Sequence, residues 1–315
     1  MRLNIFLIVK CGDKAGSLQE LAAASSCNAI SHNTINTTQS TKTPMTKHNQ
    51  QKTESRKPKT VLSLAIAILL TFPAFAQDLS LYQKHLYISN GDTLPYRLLL
   101  PQNYDAAKKY PLIFFMHGAG ERGNDNEKQL VHGAKLFLRE DVRKDYPAIV
   151  VFPQCAQNSF WSNVAFSQAN GKRTFNFLAE GEPTKAMALA QGLLYQLLNA
   201  YPIKKKQVYT GGLSMGGMGT FELVRRNPKI FAAAIPICGG GNTTTAKQLK
   251  KTDWWIFHGA KDDVVPPALS QEMYDALLNV KAKAKFTLYP EENHNSWDAA
   301  FAEKDLLPWL FAQKR

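Results

Sequence analysis

The sequence predicts an α/β domain built on a doubly wound, mostly parallel sheet. Two continuous apolar runs, at residues 111–116 and 148–152, lack the alternation of a strand with one wet face and suit strands buried on both faces. A helical stretch at 185–200 carries apolar residues three and four apart, and further short strands and helices alternate after it. In such sheets ligands bind at the carboxyl ends of the strands, so the loops there are where chemistry is expected.

The chain has 315 residues, and its first 76 read as a non-globular leader. Residues 25–60 are rich in Ser, Thr, Asn, Gln and Lys, too polar to form a core. Lys57 and Lys59, an apolar run of 12 residues at 61–72, and Ala74-Phe75-Ala76 then follow in the order of a secretory signal peptide, with cleavage expected after Ala76. The apolar run is shorter than the about 20 residues of a membrane span, and no cysteine follows the cut to carry a lipid, so no stable membrane anchor is expected. More than fifty residues ahead of the apolar core is unusual. Met45, just upstream of Lys47, Lys52, Arg56, Lys57 and Lys59, gives an ordinary basic region and is the expected start of translation. The domain is then 77–315, periplasmic or secreted.

The formal charge of +13 shrinks to +7 over residues 77–315, which hold 29 basic and 22 acidic side chains. Only Lys204-Lys205-Lys206 forms a basic run, between a helix and a strand, and it reads as a solvated turn; no nucleic-acid partner is expected. Cys155 and Cys238 each follow a predicted strand and read as buried thiols, with a disulfide as the alternative in an exported protein.

In chain order, residues 85–89 and 96–100 read as strands, followed by the buried strands at 111–116 and 148–152. After the helix at 185–200 come strands at 206–209, 232–237, 254–257 and 286–289, with helices at 218–226, 270–278 and 306–311. The roughly sixteen residues between the strands ending near 237 and starting near 254 leave no room for a large lid domain. Residues 154–183, by contrast, form a long segment rich in aromatic side chains, with Asn170-Gly171 signalling a type I′ hairpin. That hairpin either walls the site or covers the core.

The stretch Gly212-Leu213-Ser214-Met215-Gly216 lies between a strand and a helix. A serine on so sharp a turn is forced to positive φ, and its neighbours two residues away have no room for a Cβ. Strand, Gly-x-Ser-x-Gly and helix together are the nucleophile-elbow signature of the α/β-hydrolase fold. A serine hydroxyl needs a base, and the base an acid, in the chain order Ser, Asp or Glu, His. Asp262 and Asp263 both lie just past the strand at 254–257. Of the two histidines after Ser214, His258 precedes the acids and reads as a structural strand-end residue, which leaves His294, after the last strand, as base. The oxyanion hole calls for the N–H of Met215 and a second from the loop His117-Gly118-Ala119-Gly120, with Ala119 the first candidate and Gly120 the next.

The segments His117-Gly118-Ala119-Gly120-Glu121-Arg122-Gly123, Pro153-Gln154-Cys155, Gly212 to Thr220 and His294-Asn295-Ser296-Trp297-Asp298 resemble those of secreted bacterial α/β-hydrolase esterases. These are often labelled predicted peptidases or phospholipase/carboxylesterase-like, and are related to polyhydroxybutyrate depolymerase-like and feruloyl esterases. The resemblance implies that Asp262, not Asp263, is the acid, that Trp161 and Trp297 lie near the substrate, and that Glu121 and Arg122 brace the oxyanion loop. It implies a serine esterase acting without metal or organic cofactor on a small-molecule or polysaccharide-linked ester. A serine peptidase of prolyl-oligopeptidase-like type uses the same machinery on an amide, and a non-catalytic hydrolase-like domain that binds carbohydrate is the third reading.

Overall fold

A computed structural model describes residues 78–169 and 172–315. The leader, Met45 and the cleavage site after Ala76 lie outside the described residues, as does the Asn170-Gly171 turn. The apolar runs become the centre of an eight-stranded sheet. Strands β1 (Gln83–Ser89) and β2 (Asp92–Leu99) pair antiparallel across Asn90-Gly91, both at positive φ as a two-residue hairpin turn requires. Beyond them lie β3 (Tyr110–Met116) and β4 (Ile149–Pro153), and between β4 and the next sheet strand a separate antiparallel hairpin, β5 (Val164–Ala169) and β6 (Lys172–Phe177). The sheet continues with β7 (Ile203–Leu213), β8 (Ala233–Ile237), β9 (Asp253–Gly259) and β10 (Ala284–Tyr289). Its order is β1-β2-β4-β3-β7-β8-β9-β10, with β2 antiparallel to β4 and every later pairing parallel.

The continuous runs are explained by two-sided burial. Along β3, Leu112, Phe114 and Met116 enter one core, and Ile113 and Phe115 the other; along β9, Trp254 and Ile256 part from Trp255 and Phe257 in the same way. Helices α1 (Ala134–Leu138), α2 (Glu140–Asp145), α7 (Trp297–Ala302) and α8 (Leu306–Ala312) cover one face. The other is covered by α3 (Lys185–Ala200), α4 (Met215–Arg226), α5 (Ala246–Leu249) and α6 (Ala268–Asn279). Between β8 and β9 the chain holds only a 3-10 turn and the four-residue α5, so no lid domain is inserted there. No helix among the described residues is long and apolar enough to cross a membrane.

One expectation is corrected, and one alternative falls. Lys204 to Lys206 are not a turn: β7 begins at Ile203, because Ile203 pairs with Tyr110 ahead of a register shift, and the three lysines extend the strand into solvent. Cys155 and Cys238 are both buried free thiols, so the disulfide alternative fails. Burial pushes the Cys155 thiol up to about 12 and the Cys238 thiol far above its ordinary range, with the nearby Asp262 charge adding to the latter.

Candidate active site

Ser214 links β7 to α4 at φ +53 and ψ −115, a strained conformation for a residue with a side chain. The strain is imposed by close packing on either side. A Cβ on Gly212 would lie 2.4 Å from the Gly216 carbonyl oxygen, and one on Gly216 would lie 2.0 Å from that of Met116. The Ser214 N–H donates to the Ile237 carbonyl (2.9 Å), tying the turn to β8.

The loops after β9 and β10 are stitched together at the same end of the sheet. Lys261 N–H donates to the Glu292 carbonyl at 3.0 Å, Ala260 N–H to that of Tyr289 at 2.8 Å, and Asp263 N–H to Asn293 Oδ1 at 3.2 Å. This contact is possible because Gly259 has no side chain; a Cβ there would lie 2.3 Å from the Asn293 carbonyl oxygen. The result places His294 Nε2 3.0 Å from Ser214 Oγ and its Nδ1 2.8 Å from Asp262 Oδ2. Asp263 has no part in this line, and its N–H serves the loop. Asp262 Oδ1 accepts from the N–H groups of Val264 (2.9 Å) and Val265 (2.8 Å). Burial works against the Asp262 charge, but hydrogen bonds from His258, His294 and Val265 outweigh it and hold the carboxyl well below the usual carboxylate range.

His258 was missed as more than a strand-end residue. Fully buried, it lies 3.1 Å from Asp262 Oδ2 through Nε2. The signal was present in the sequence as a histidine four residues before the acid, but spacing alone does not say which way either side chain points. Cys238 Sγ, Asp262 and His294 present ligand atoms within 4.8 Å of one another. With the carboxylate and imidazole hydrogen-bonded to each other and the thiol kept protonated by burial, this set suits proton transfer better than a cation.

Ser214 opens onto a cavity of about 600 Å³, within the range for small-molecule sites. Gly118, Ala119, Gly120 and Met215 line it beside Ser214, so both predicted N–H donors belong to residues of its wall. The loop at residues 117–120 is held from behind. His117 Nε2 accepts from Cys155 N–H at 2.9 Å, so Nδ1 carries the proton and donates to the Gly118 carbonyl at 2.6 Å. Arg122 reaches back to the Ala119 carbonyl (3.0 Å) and across to that of Gln157 (3.1 Å), the bracing role expected of it. Glu121 Oε1 faces His132 Nε2 at 3.8 Å.

Trp297 lines the cavity and meets the His294 ring edge-on, with centroids 5.5 Å apart. Trp161 does not. It is fully buried beneath the elbow: its indole N–H donates to the His117 carbonyl (3.2 Å), and its Cβ lies where a side chain on Gly219 would be. The expectation that Trp161 lies near the substrate is therefore corrected. The aromatic wall comes instead from Phe160 and the β5–β6 hairpin, where Phe160, Phe166 and Phe175 pack edge to face at 4.9 and 5.4 Å. Thr184, the N-cap of α3, anchors this wall by donating to the Phe160 carbonyl at 2.5 Å.

Burial pushes the His117 imidazole down to about 4, despite its hydrogen bond to Gly118. Because the folded value is depressed below about 6.5, the unfolded chain takes up the proton first, and stability present above pH 6.5 is lost as pH falls toward 4. The expected loss by pH 4 is about 3 kcal/mol from this residue. Urea midpoints measured from pH 7 to pH 4 check this: His117→Gln should remove that part of the acid slope, and an unchanged slope would refute the assignment.

The family model named Esterase, described as "Putative esterase", matches residues 89–299, from the last residue of β1 into α7. The chain belongs to this esterase family. The matched span includes Ser214, Asp262 and His294. Among curated relatives, the probable feruloyl esterase C of Aspergillus oryzae is 26% identical over 171 residues, covering 54% of this chain and 56% of that protein. The feruloyl esterase D of Neurospora crassa is 26% identical over 202 residues, 60% of each chain. The esterase-family chain thus spans less than two thirds of the length of these relatives. Among solved structures, a thermostable esterase is 32% identical with a TM-score of 0.67, covering 75% of this chain and 64% of the other. A ferulic acid esterase from Anaeromyces mucronatus, solved in complex with ferulic acid, shares the fold at 15% identity and a TM-score of 0.54, covering 74% of this chain and 90% of that one.

Proposed function

We propose that this chain hydrolyses carboxylic esters through an acyl-enzyme, with Ser214 as nucleophile, His294 as general base and acid, and Asp262 as the orienting carboxylate. The observation that carries the reading is the continuous line of hydrogen-bond distances, 3.0 Å from Ser214 Oγ to His294 and 2.8 Å from His294 to Asp262, at the wall of an open cavity. His294 Nε2 takes the Ser214 proton as Oγ attacks the ester carbonyl, and Asp262 stabilises the imidazolium that forms. The N–H groups of Met215 and Ala119 receive the tetrahedral oxyanion. His294 then gives its proton to the leaving alkoxide. Water, deprotonated by the same imidazole, releases the acid and restores Ser214.

The substrate is read as an ester with an aromatic acyl group, small or polysaccharide-linked. Phe160, Phe166, Phe175 and Trp297 line the cavity, and the relatives named above are feruloyl esterases. Residues 1–76 are read as a leader whose signal peptide is cut after Ala76, with translation starting at Met45, which makes the domain at 77–315 periplasmic or secreted.

Turnover of p-nitrophenyl and feruloyl esters against aminoacyl anilides tests the reading, together with fluorophosphonate labelling. Ester turnover with label on Ser214 is the expected result. Faster anilide turnover would make the chain a peptidase, and no labelling of folded protein would make it a binding domain.

A further inference from the structure

Asp262 is surrounded by donors in an arrangement that a lone Ser-His-Asp line does not require. Oδ1 takes two backbone N–H groups, from Val264 and Val265, while Oδ2 faces two imidazoles, His294 Nδ1 at 2.8 Å and His258 Nε2 at 3.1 Å. His258 lies on β9, with no exposed surface. Its Nε2 also lies 3.0 Å from the Val265 carbonyl, so this nitrogen faces two acceptors and must carry a proton.

The other nitrogen, Nδ1, lies 2.7 Å from Ser270 Oγ on α6, and Ser270 Oγ lies 2.9 Å from the Gly239 carbonyl. Nε2–H therefore donates to Asp262 while the Ser270 hydroxyl holds the ring at its other nitrogen.

We propose that His258 is a positioning residue of the hydrolytic site: its Nε2–H shares Oδ2 of Asp262 with His294, fixing the carboxylate rotation and setting how much of its negative charge His294 meets. This rests on the triad reading above. The titratable groups facing the shared carboxylate are His258 from β9, His294 from the loop after β10, and the Cys238 thiol from the end of β8. The thiol stays protonated and contributes no competing charge. Removing the His258 donor leaves Oδ2 less neutralised and the carboxylate less constrained. A less neutralised carboxylate holds the His294 imidazolium more strongly, so the acid limb of the pH–rate profile moves to higher pH. Looser rotation lowers kcat and leaves ground-state binding alone, since Asp262 and His258 do not touch the substrate cavity.

The test compares His258→Gln, His258→Asn and His258→Leu with the wild-type chain on a p-nitrophenyl ester. Glutamine can present its amide N–H near the position of Nε2; asparagine is too short, and leucine has no donor. The expected result is a kcat loss of roughly tenfold or more for the leucine and asparagine variants, with KM within about twofold. Their acid limb should shift upward, and glutamine should recover most of both. A leucine variant with native near-ultraviolet dichroism and wild-type kcat and pH profile would overturn the proposal. Should that variant not fold, equal kcat and equal acid limbs for glutamine and asparagine would overturn it as well, because a packing role does not depend on where the donor sits. Wild-type chain that turns over no ester and takes no fluorophosphonate label would sink the triad reading itself, a different failure.

Discussion

Ser214→Ala is expected to lower kcat for ester hydrolysis by about 10⁶-fold while leaving the fold in place. The oxygen it removes is the proposed nucleophile, and none of the neighbouring side chains would replace it: the Cys238 thiol is buried and protonated, and His294 alone is a poor acyl acceptor. The stability change should be under about 1 kcal/mol, since alanine bears the same backbone strain at φ +53 and only the exchange with His294 is lost. Adding His294→Ala to Ser214→Ala should cost little more, because residues that act as a unit do not contribute additively. Turnover of the single variant above a hundredth of the wild-type rate, with full occupancy of the site confirmed by mass, would remove Ser214 from the chemistry. A labelled peptide that does not contain residue 214 would do the same.

How far the sequence carried the reading depended on the kind of signal. Buried parallel strands are legible because two-sided burial writes itself as an unbroken apolar run, and β3 and β9 fall within two residues of their predicted bounds. The long helix at 185–200 matches its predicted span in full, because sixteen residues give several turns of period to count. The helices α1, α2, α5 and α7, of four to six residues, offer under two turns each and leave no such trace. Lys204 to Lys206 read as a turn because charge run and helix end suggested one, whereas pairing with β3 decides their state.

The site divides the same way. Chain order and glycine spacing led to Ser214, to His294 and to the pair Asp262 and Asp263, because sterics and the order of loops leave few alternatives; only the family resemblance separated the two acids. Orientation is what a sequence does not encode locally. Trp161 and Trp297 looked alike as aromatic residues near catalytic loops, yet one fills the space under Gly219 and the other walls the cavity. His258 and His294 are likewise distinguished by which nitrogen faces which oxygen.

Asp262→Asn is the second large effect, a fall in kcat of about 10⁴-fold. All four groups around the carboxylate are N–H donors: those of Val264 and Val265 on one oxygen, and the rings of His258 and His294 on the other. An amide fits this cage in neither orientation. With its NH₂ toward the valines it opposes two backbone N–H groups. With its NH₂ toward the imidazoles it pushes His294 into the tautomer that cannot accept the Ser214 proton. Loss of charge also leaves the developing imidazolium without its counter-ion. The same mismatch should cost about 1–3 kcal/mol of stability, read as a lower urea midpoint at pH 7. Asp263→Asn is the matched control, since its side chain takes no part in this cage and only its N–H is used, toward Asn293. It should retain kcat within about twofold. If the two substitutions lower kcat equally, the acid has been assigned to the wrong residue, and the line from Ser214 through His294 must end elsewhere.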